Sequence, residues 1–346
     1  MAALQYCGAV CFFKIILRKT SGMHFHKIFF KIALLCVVSC VNIETQAQTK
    51  WKDAGADFGP LPDGFNVFSS TDSLDGKPFR AFYAIADIGN KNLNFATDTT
   101  HKRRLSPSKF YEKNDNPLLV ANTTFFSFGT NQNLNLVIKE GKMVGFNIHS
   151  LSGKGKDTLT YRHAFNGAIG ISKKRKADVA WIYSDSSFKY ALAAQTVPAF
   201  YKDSINIINK KTVLNKYRGT DFRLWKMQTA VAGGPVLLQN GDIKISNNEE
   251  QKFNGKAIND KHPRTLMGYT KDNKLIVMVV EGRNPGVADG VTLVQSAQLL
   301  KELGCVEGLN LDGGGSSCML INGKETIRPS DKTQRPVPAV FIISRN

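Results

Sequence analysis

Apolar residues gather in short runs separated by polar, glycine- or proline-containing turns, a pattern that predicts many strands and few helices. FNVFSS (65–70), FRAFYAIADI (79–88) and PLLVAN (117–122) read as strands, and the basic polar stretch 97–116 as a loop between them. LNLVIKEGKMVGF (134–146) and PVLLQNGDIKI (235–245) read as hairpins turning at Glu140-Gly141 and Asn240-Gly241. The polar segments 147–163 and 246–262 read as exposed loops, and KKRK (173–176) as a solvated turn.

The C-terminal third is patterned most clearly. RTLMGYT (264–270) and KLIVMVVEGR (274–283) flank a polar turn, and the unbroken apolar run LIVMVV predicts a strand covered on both faces. VTLVQSAQLLKELG (291–304) predicts a helix with a Thr292/Gln295 capping box, an apolar face of Leu293, Ala297, Leu300 and Leu303, and a stop at Gly304. GLNLD (308–312) returns as a strand, CMLI leads to an Asn322-Gly323 turn, and VPAVFII (337–343) closes as a buried strand. The expected class is α+β: a twisted mixed β-sheet with few helices and one strand–helix–strand unit near the C-terminus.

That unit is where chemistry enters. If its two strands share a sheet, the crossover makes them parallel, so Glu281 and Asp312 emerge at one carboxyl edge, where open sheets place ligand crevices. Leu309 and Leu311 alternate with Asn310 and Asp312, so the helix is expected to cover the leucines and leave the polar pair facing a cleft. A purely structural alternative pairs Glu281 with Arg283 or Arg264. Asp312 opens into GGGSS (313–317), more glycine than a turn requires. The N–H groups of Gly313, Gly314 and Gly315, with the hydroxyls of Ser316 and Ser317, have the makings of an anion nest. The loop is neither a nucleophile elbow nor a P-loop. A serine nucleophile there would have His262 as its nearest sequence candidate for a base.

Composition narrows the class. With 346 residues, 42% hydrophobic and 21% charged, the chain reads as a soluble globular protein. Its net charge of +18 points to anionic partners, while the lack of an arginine-rich helix, zinc-finger spacing or RNP-like aromatics argues against nucleic acid. Residues 1–47 stand apart: Lys27 and Lys31 precede a ten-residue apolar run, too short to span a bilayer as a helix but suited to an export signal. VVSC (37–40) resembles a lipobox that would leave a lipid on Cys40, and Thr45-Gln46-Ala47 offers ordinary cleavage. The expectation is export to the periplasm or cell envelope, lipid-anchored or released. Residues 48–116 then form a β-rich segment packed on a catalytic domain, 117–346. Outside the leader only Cys305 and Cys318 remain, bracketing the glycine loop; they can pair only if the fold brings them close.

Five segments taken in order, ANTTFF (121–126), AVAGGPVLLQNG (230–241), HPRTLMGYTKDNKLIVMVVEGR (262–283), LNLDGGGSS (309–317) and RPVPAVFII (335–343), resemble the phosphodiester glycosidase family. Where the family usually reads N-G-G-F-F, this chain has Asn122-Thr123-Thr124-Phe125-Phe126, and Glu281 stands where aspartate is common. The resemblance implies hydrolysis of a sugar-1-phosphodiester at its anomeric carbon, as with a GlcNAc-1-phosphodiester, within envelope or extracellular phosphorylated glycans. In that reading Asp312 and Glu281 are the carboxylates that assist water and stabilise an oxocarbenium-like transition state. Arg264, Arg283 and Arg335 receive the phosphate, and Asn122 and Asn310 contact the sugar. No cofactor is required; a divalent cation stays open, since aspartates and serines are hard ligands but lack a diagnostic spacing. Two other functions remain in play: a serine hydrolase of envelope esters using Ser316 or Ser317, and a non-catalytic glycan-binding lipoprotein.

Overall fold

Alternating apolar positions along the strands have to be buried on at least one side, and here three antiparallel sheets bury theirs against one another. The computed structural model describes residues 48–153, 155–205, 207–216 and 221–346; the leader, with Cys40 and both processing sites, lies outside them. The largest sheet has eight strands, in the order Lys52–Asp53, Phe65–Ser70, Ala81–Asp87, Lys274–Val280, Arg264–Thr270, Cys305–Asn310, Val236–Gln239 and Asp242–Ile243. Lys274–Val280 is covered on both faces, as its sequence implies: Leu275, Val277 and Val279 enter the central core, while Ile276, Met278 and Val280 enter a second cluster beneath the long helix.

That helix, Leu293–Glu302, has the expected capping box, Thr292 accepting from the Gln295 N–H and the Gln295 side chain accepting from the Thr292 N–H. Gly304 ends it at φ +79°. The strands Lys274–Val280 and Cys305–Asn310 each pair antiparallel with Arg264–Thr270, so they run parallel to one another with that strand between them. One detail is reversed from the expectation. Leu309 and Leu311 face the central core, and the helix lies over the opposite face, where Leu300 packs close to Gly308. A β-carbon at Gly308 would sit 2.8 Å from Leu300 Cδ1, so a bare backbone lets the helix approach.

A seven-stranded sheet built from residues 137–232 and a five-stranded sheet complete the layers. In the five-stranded sheet Leu119–Asn122 and Leu93–Thr99 flank Ala339–Arg345. The central core forms where the three sheets meet, uniting Val67, Trp181, Val231, Met267, Leu309 and Phe341. Strand Ala81–Asp87 pairs with Lys274–Val280, and Leu93–Thr99 with Ala339–Arg345. Residues 48–116 are therefore woven into the same sheets as the rest, and 48–346 form one compact unit.

Several expected loops are structured. The 97–116 stretch contains the end of a strand and the helix Pro107–Lys113, whose Ser106 cap accepts from the Lys109 N–H at 3.3 Å. Within 147–163, Ser150–Ser152 and Tyr161–His163 pair as strands, and within 246–262 Asn247–Glu250 forms one helical turn that buries Glu250. The KKRK turn is a turn, but Arg175 donates to the carbonyls of Ile88, Asn90 and Leu93 instead of reaching into water. Both predicted hairpins form, at Glu140-Gly141 and Asn240-Gly241, and the Asn322-Gly323 turn closes a third, each with both turn residues at positive φ. Cys305 and Cys318 are free thiols buried in separate apolar clusters, so they do not pair.

Candidate active site

The site begins with sheet register. Arg264 pairs with Val280 and Leu266 with Asn310, so the middle strand starts where its two neighbours finish. The chain leaving Asn310 is then fastened across that edge. Leu311 N–H donates to Thr265 O (2.8 Å), Asp312 N–H to Thr123 O (2.7 Å) and Gly314 N–H to Pro263 O (2.8 Å). Asn122, fully buried, donates from Nδ2 to Asp312 O (2.7 Å) and accepts at Oδ1 from Thr265 Oγ1 (2.7 Å) and Cys318 N–H (3.0 Å). Every polar atom of its side chain is thus committed to clamping the glycine loop. The expectation that Asn122 touches sugar gives way to a positioning role.

The glycines serve arginines. Gly314 has φ +61°, and a β-carbon on it would lie 3.2 Å from Arg283 Nη1. At Gly315 a β-carbon would occupy the space filled by the Arg335 guanidinium and the Asp331 carboxylate. Arg335 is held by Asp331 (Nε–Oδ2 2.8 Å) and donates from Nη1 to Ser316 Oγ at 3.3 Å. The Ser316 hydroxyl in turn favours the charged form of the Asp312 carboxyl.

Asp312 is partly open to solvent at its rim, yet protein atoms surround its carboxyl. Desolvation pushes its pKa up to about 7, against the opposing pull of the Ser316 hydroxyl, Arg335, the Gly313 N–H and Lys252. Lys252 is pushed down to about 8 by burial, although Glu250 and Asp312 favour its charge. Its ammonium lies 4.8 Å over the Phe125 ring. It also lines a cavity of about 280 Å³ with Phe125, Leu134, Ile148 and Asn166. Behind it, Glu250 accepts from the N–H groups of Gly167 (2.9 Å) and Val236 (2.8 Å), from Ser246 Oγ (2.6 Å) and from Trp181 Nε1 (3.1 Å), which makes it a buried support. Sequence reading missed Lys252 because 246–262 looked like ordinary polar loop; nothing in its composition marks one lysine among several.

On the other side, burial and, after it, nearby Arg283 lower the Arg264 pKa to about 10. Arg264 donates from Nε to Val291 O (3.2 Å) and lies 5.4 Å over Phe253. Arg283 donates from Nη2 to His262 Nδ1 at 3.3 Å. Burial first, then Arg264 and Arg283, lower the His262 pKa, so its ring is a neutral acceptor near pH 7. Five buried polar atoms around the loop have no hydrogen-bond partner: Thr123 Oγ1, Thr124 Oγ1, Arg264 Nη2, Asn310 Oδ1 and Ser317 Oγ. Such atoms are rare in folded proteins, and these five lie at or next to the glycine loop. Asn310 otherwise donates to Gly234 O (3.0 Å) and Leu311 O (2.7 Å).

Glu281 reaches the same edge, but its carboxylate turns to other partners. It accepts from Asn284 Nδ2 (2.8 Å) and Arg328 N–H (3.1 Å), and Arg80 Nε lies 3.7 Å from Oε2. Its side chain is fully closed off from solvent. The two strands that end in Glu281 and Asp312 are separated by one strand, about 10 Å between backbones. Edge and parallel direction are as expected from the sequence, whereas the shared cleft is not what these contacts describe. Among the described residues no group of three or more His, Cys, Asp or Glu side chains is placed to hold a metal.

A family model described as phosphodiester glycosidase matches residues 115–344. Curated relatives include an uncharacterized SPbeta prophage-derived protein of Bacillus subtilis, 36% identical over 87 residues (25% of this chain, 13% of that protein). Another is N-acetylglucosamine-1-phosphodiester alpha-N-acetylglucosaminidase of Mus musculus, 31% identical over 112 residues (30% of this chain). The chain thus spans 13% and 21% of the lengths of these two relatives. Among solved structures, a hypothetical protein from Synechocystis superposes with TM-score 0.59 at 13% identity, covering 83% of this chain and 64% of that one. The zebrafish N-acetylglucosamine-1-phosphodiester alpha-N-acetylglucosaminidase catalytic domain, auto-inhibited by its pro-peptide, superposes with TM-score 0.53 at 20% identity, covering 86% and 89%. At these identities the superpositions establish the fold alone.

Proposed function

Because the chain belongs to the phosphodiester glycosidase family, we propose that it hydrolyses a sugar-1-phosphodiester at the anomeric carbon. The sugar is N-acetylglucosamine or a close analogue, and the substrate is an envelope or extracellular glycan. Water adds to C1 as the C1–O(phosphate) bond breaks; the bonding electrons leave with the phosphate oxygen, giving a free sugar and a phosphomonoester. The observation that carries this reading is the Asp312 carboxyl, with its pKa near 7, facing Ser316, Arg335 and Lys252. A carboxyl poised near neutrality accepts the proton that the attacking water gives up. Arg264 and Arg283 supply positive charge for the departing phosphate, and the buried Arg264 Nη2 has no hydrogen-bond partner within the protein. Glu281 acts one step removed, by fixing Arg80, Asn284 and the Arg328 backbone.

The serine-hydrolase alternative loses support from the same contacts. Ser316 accepts from Arg335, Ser317 Oγ is buried with no hydrogen-bond partner and so no base, and the His262 ring is engaged by Arg283. Export, with or without a lipid on Cys40, remains part of the proposal and is supported by the leader pattern. The test is release of reducing sugar from a panel of sugar-1-phosphodiesters. Sugar release without covalent labelling by a fluorophosphonate probe is the expected result. Labelling at Ser316 or Ser317 without sugar release would reject the reading, and saturable binding without turnover would turn the protein into a glycan-binding module.

A further inference from the structure

The cavity of about 280 Å³ beside Lys252 has no task in the reaction as described. Its apolar walls come from separate segments of the chain: Phe125, Leu134, Ile148, Leu151 and Ala164. Phe125, Leu134 and Leu151 are only half-buried and Ile148 is 42% exposed, so four large apolar side chains around one space lack full cover. Clustered apolar exposure of this kind marks a binding surface. Polar groups in the lining are largely spent within the protein. Asn135 Oδ1 accepts from the Phe125 N–H (3.0 Å), Gln251 Oε1 accepts from Arg162 Nη1 (2.8 Å), and Glu250 carries the bonds given above. The Lys252 ammonium is the exception: it rests 4.8 Å over the Phe125 ring, and among the described residues no hydrogen-bond acceptor holds it.

This wall also adjoins the reaction centre on two sides. Lys252 and Asp312 feel each other's charge. Phe125 meets Phe253 edge-on at 6.1 Å, and Arg264 lies 5.4 Å over Phe253. On the basis of the function proposed above, we infer that the cavity receives the N-acyl group of the substrate sugar, and that this acyl chain is longer than acetyl. An N-acyl group presents one strong acceptor, the amide carbonyl, followed by hydrocarbon. The cavity offers the counterpart, one unengaged donor at Lys252 followed by apolar wall. Size decides the chain length. A water takes up about 30 Å³ of liquid and a methylene has similar bulk, so the space holds roughly nine such groups. An acetyl methyl would leave most of the apolar wall wet, whereas a chain of about eight carbons covers it.

The test compares the methyl phosphodiesters of N-acetyl- and N-octanoylglucosamine 1-phosphate. Because each buried methylene is worth about fourfold, kcat/KM for the octanoyl substrate exceeds that for the acetyl one at least about tenfold. Leu151→Trp fills the cavity from its half-buried wall and cuts this ratio at least about fivefold. Ile148→Trp, at the exposed mouth, replaces it if melting curves show that the first variant does not fold. With turnover measurable, a wild-type ratio near one, or a ratio unmoved in a folded variant, would overturn the inference. A separate arm titrates N-acetyl- and N-octanoylglucosamine 1-phosphate against the full chain by calorimetry. Tighter binding of the octanoyl compound, lost in the folded tryptophan variant, supports the cavity even if neither diester is hydrolysed, an outcome that would refute the proposed reaction alone. Equal or weaker binding of the octanoyl compound rejects the cavity whatever the activity.

Discussion

Glu281 and Asp312 finish parallel strands of one sheet at one edge, and their surroundings are opposite. Glu281 is closed to solvent and meets two hydrogen-bond donors and a guanidinium. Asp312 lies at the rim of the glycine loop, where loss of water outweighs its hydrogen bonds and cations and lifts its pKa to about 7. A carboxylate whose oxygens are occupied holds structure in place; one stripped of water but short of donors is ready to exchange a proton. The same sheet edge has therefore produced one brace and one carboxyl raised towards neutrality.

The sharpest attempt to break this contrast is Asp312→Asn. It keeps size and most bonding but removes the titrating group, and a loss of at least about a hundredfold in turnover is expected, with a folded protein. Melting curves supply the control. Because the folded pKa of Asp312 is raised, wild-type folding is free of penalty below the unfolded value near 4, and the penalty grows as pH rises towards 7. The melting temperature of Asp312→Asn should thus gain on that of the wild type across that window. Near-normal turnover in the variant would leave Asp312 a loop residue.

Arg264→Lys probes the phosphate side of the same site. Lysine keeps the charge but lacks the fork and cannot reproduce both the Val291 contact and the free Nη2, so a drop of roughly tenfold on phosphodiesters is expected. A neutral aryl glycoside, if hydrolysed, should suffer less; equal losses on both would reassign Arg264 to structure. Glu281→Gln should act mainly on folding. Loss of a buried charge beside Arg80 and the Arg328 N–H is expected to cost about 2 kcal/mol in denaturant unfolding, with turnover within a few-fold of wild type. If turnover instead collapsed in a stable protein, the paired-carboxylate mechanism would return.

How much of this was legible depended on how local the signal was. The capping box at Thr292 and Gln295 and the three hairpin turns are decided by neighbouring residues, and all are present. The seven-stranded sheet was hard to read because NGAIGIS and ALAA carry small residues with little contrast between faces. Their burial comes from the sheets packed against them. Val236 of the eight-stranded sheet fills the space over Gly167, for example, while within the seven-stranded sheet itself Trp225 and Met227 do so over Gly170.

The sequence by itself determined the α+β class, the strand–helix–strand crossover, the edge at which Glu281 and Asp312 emerge, and the glycine loop joined to Asp312. Each follows from periodicity or turn chemistry within a few residues. Only the tertiary structure decided which carboxylate is spent on bracing and which is raised towards neutrality, and that Asn122 clamps the loop. It also decided that Lys252, 60 residues from Asp312 in the chain, faces it across the site. Desolvation and donor count depend on every segment that packs around a group, and segments distant in sequence contribute most of that surface.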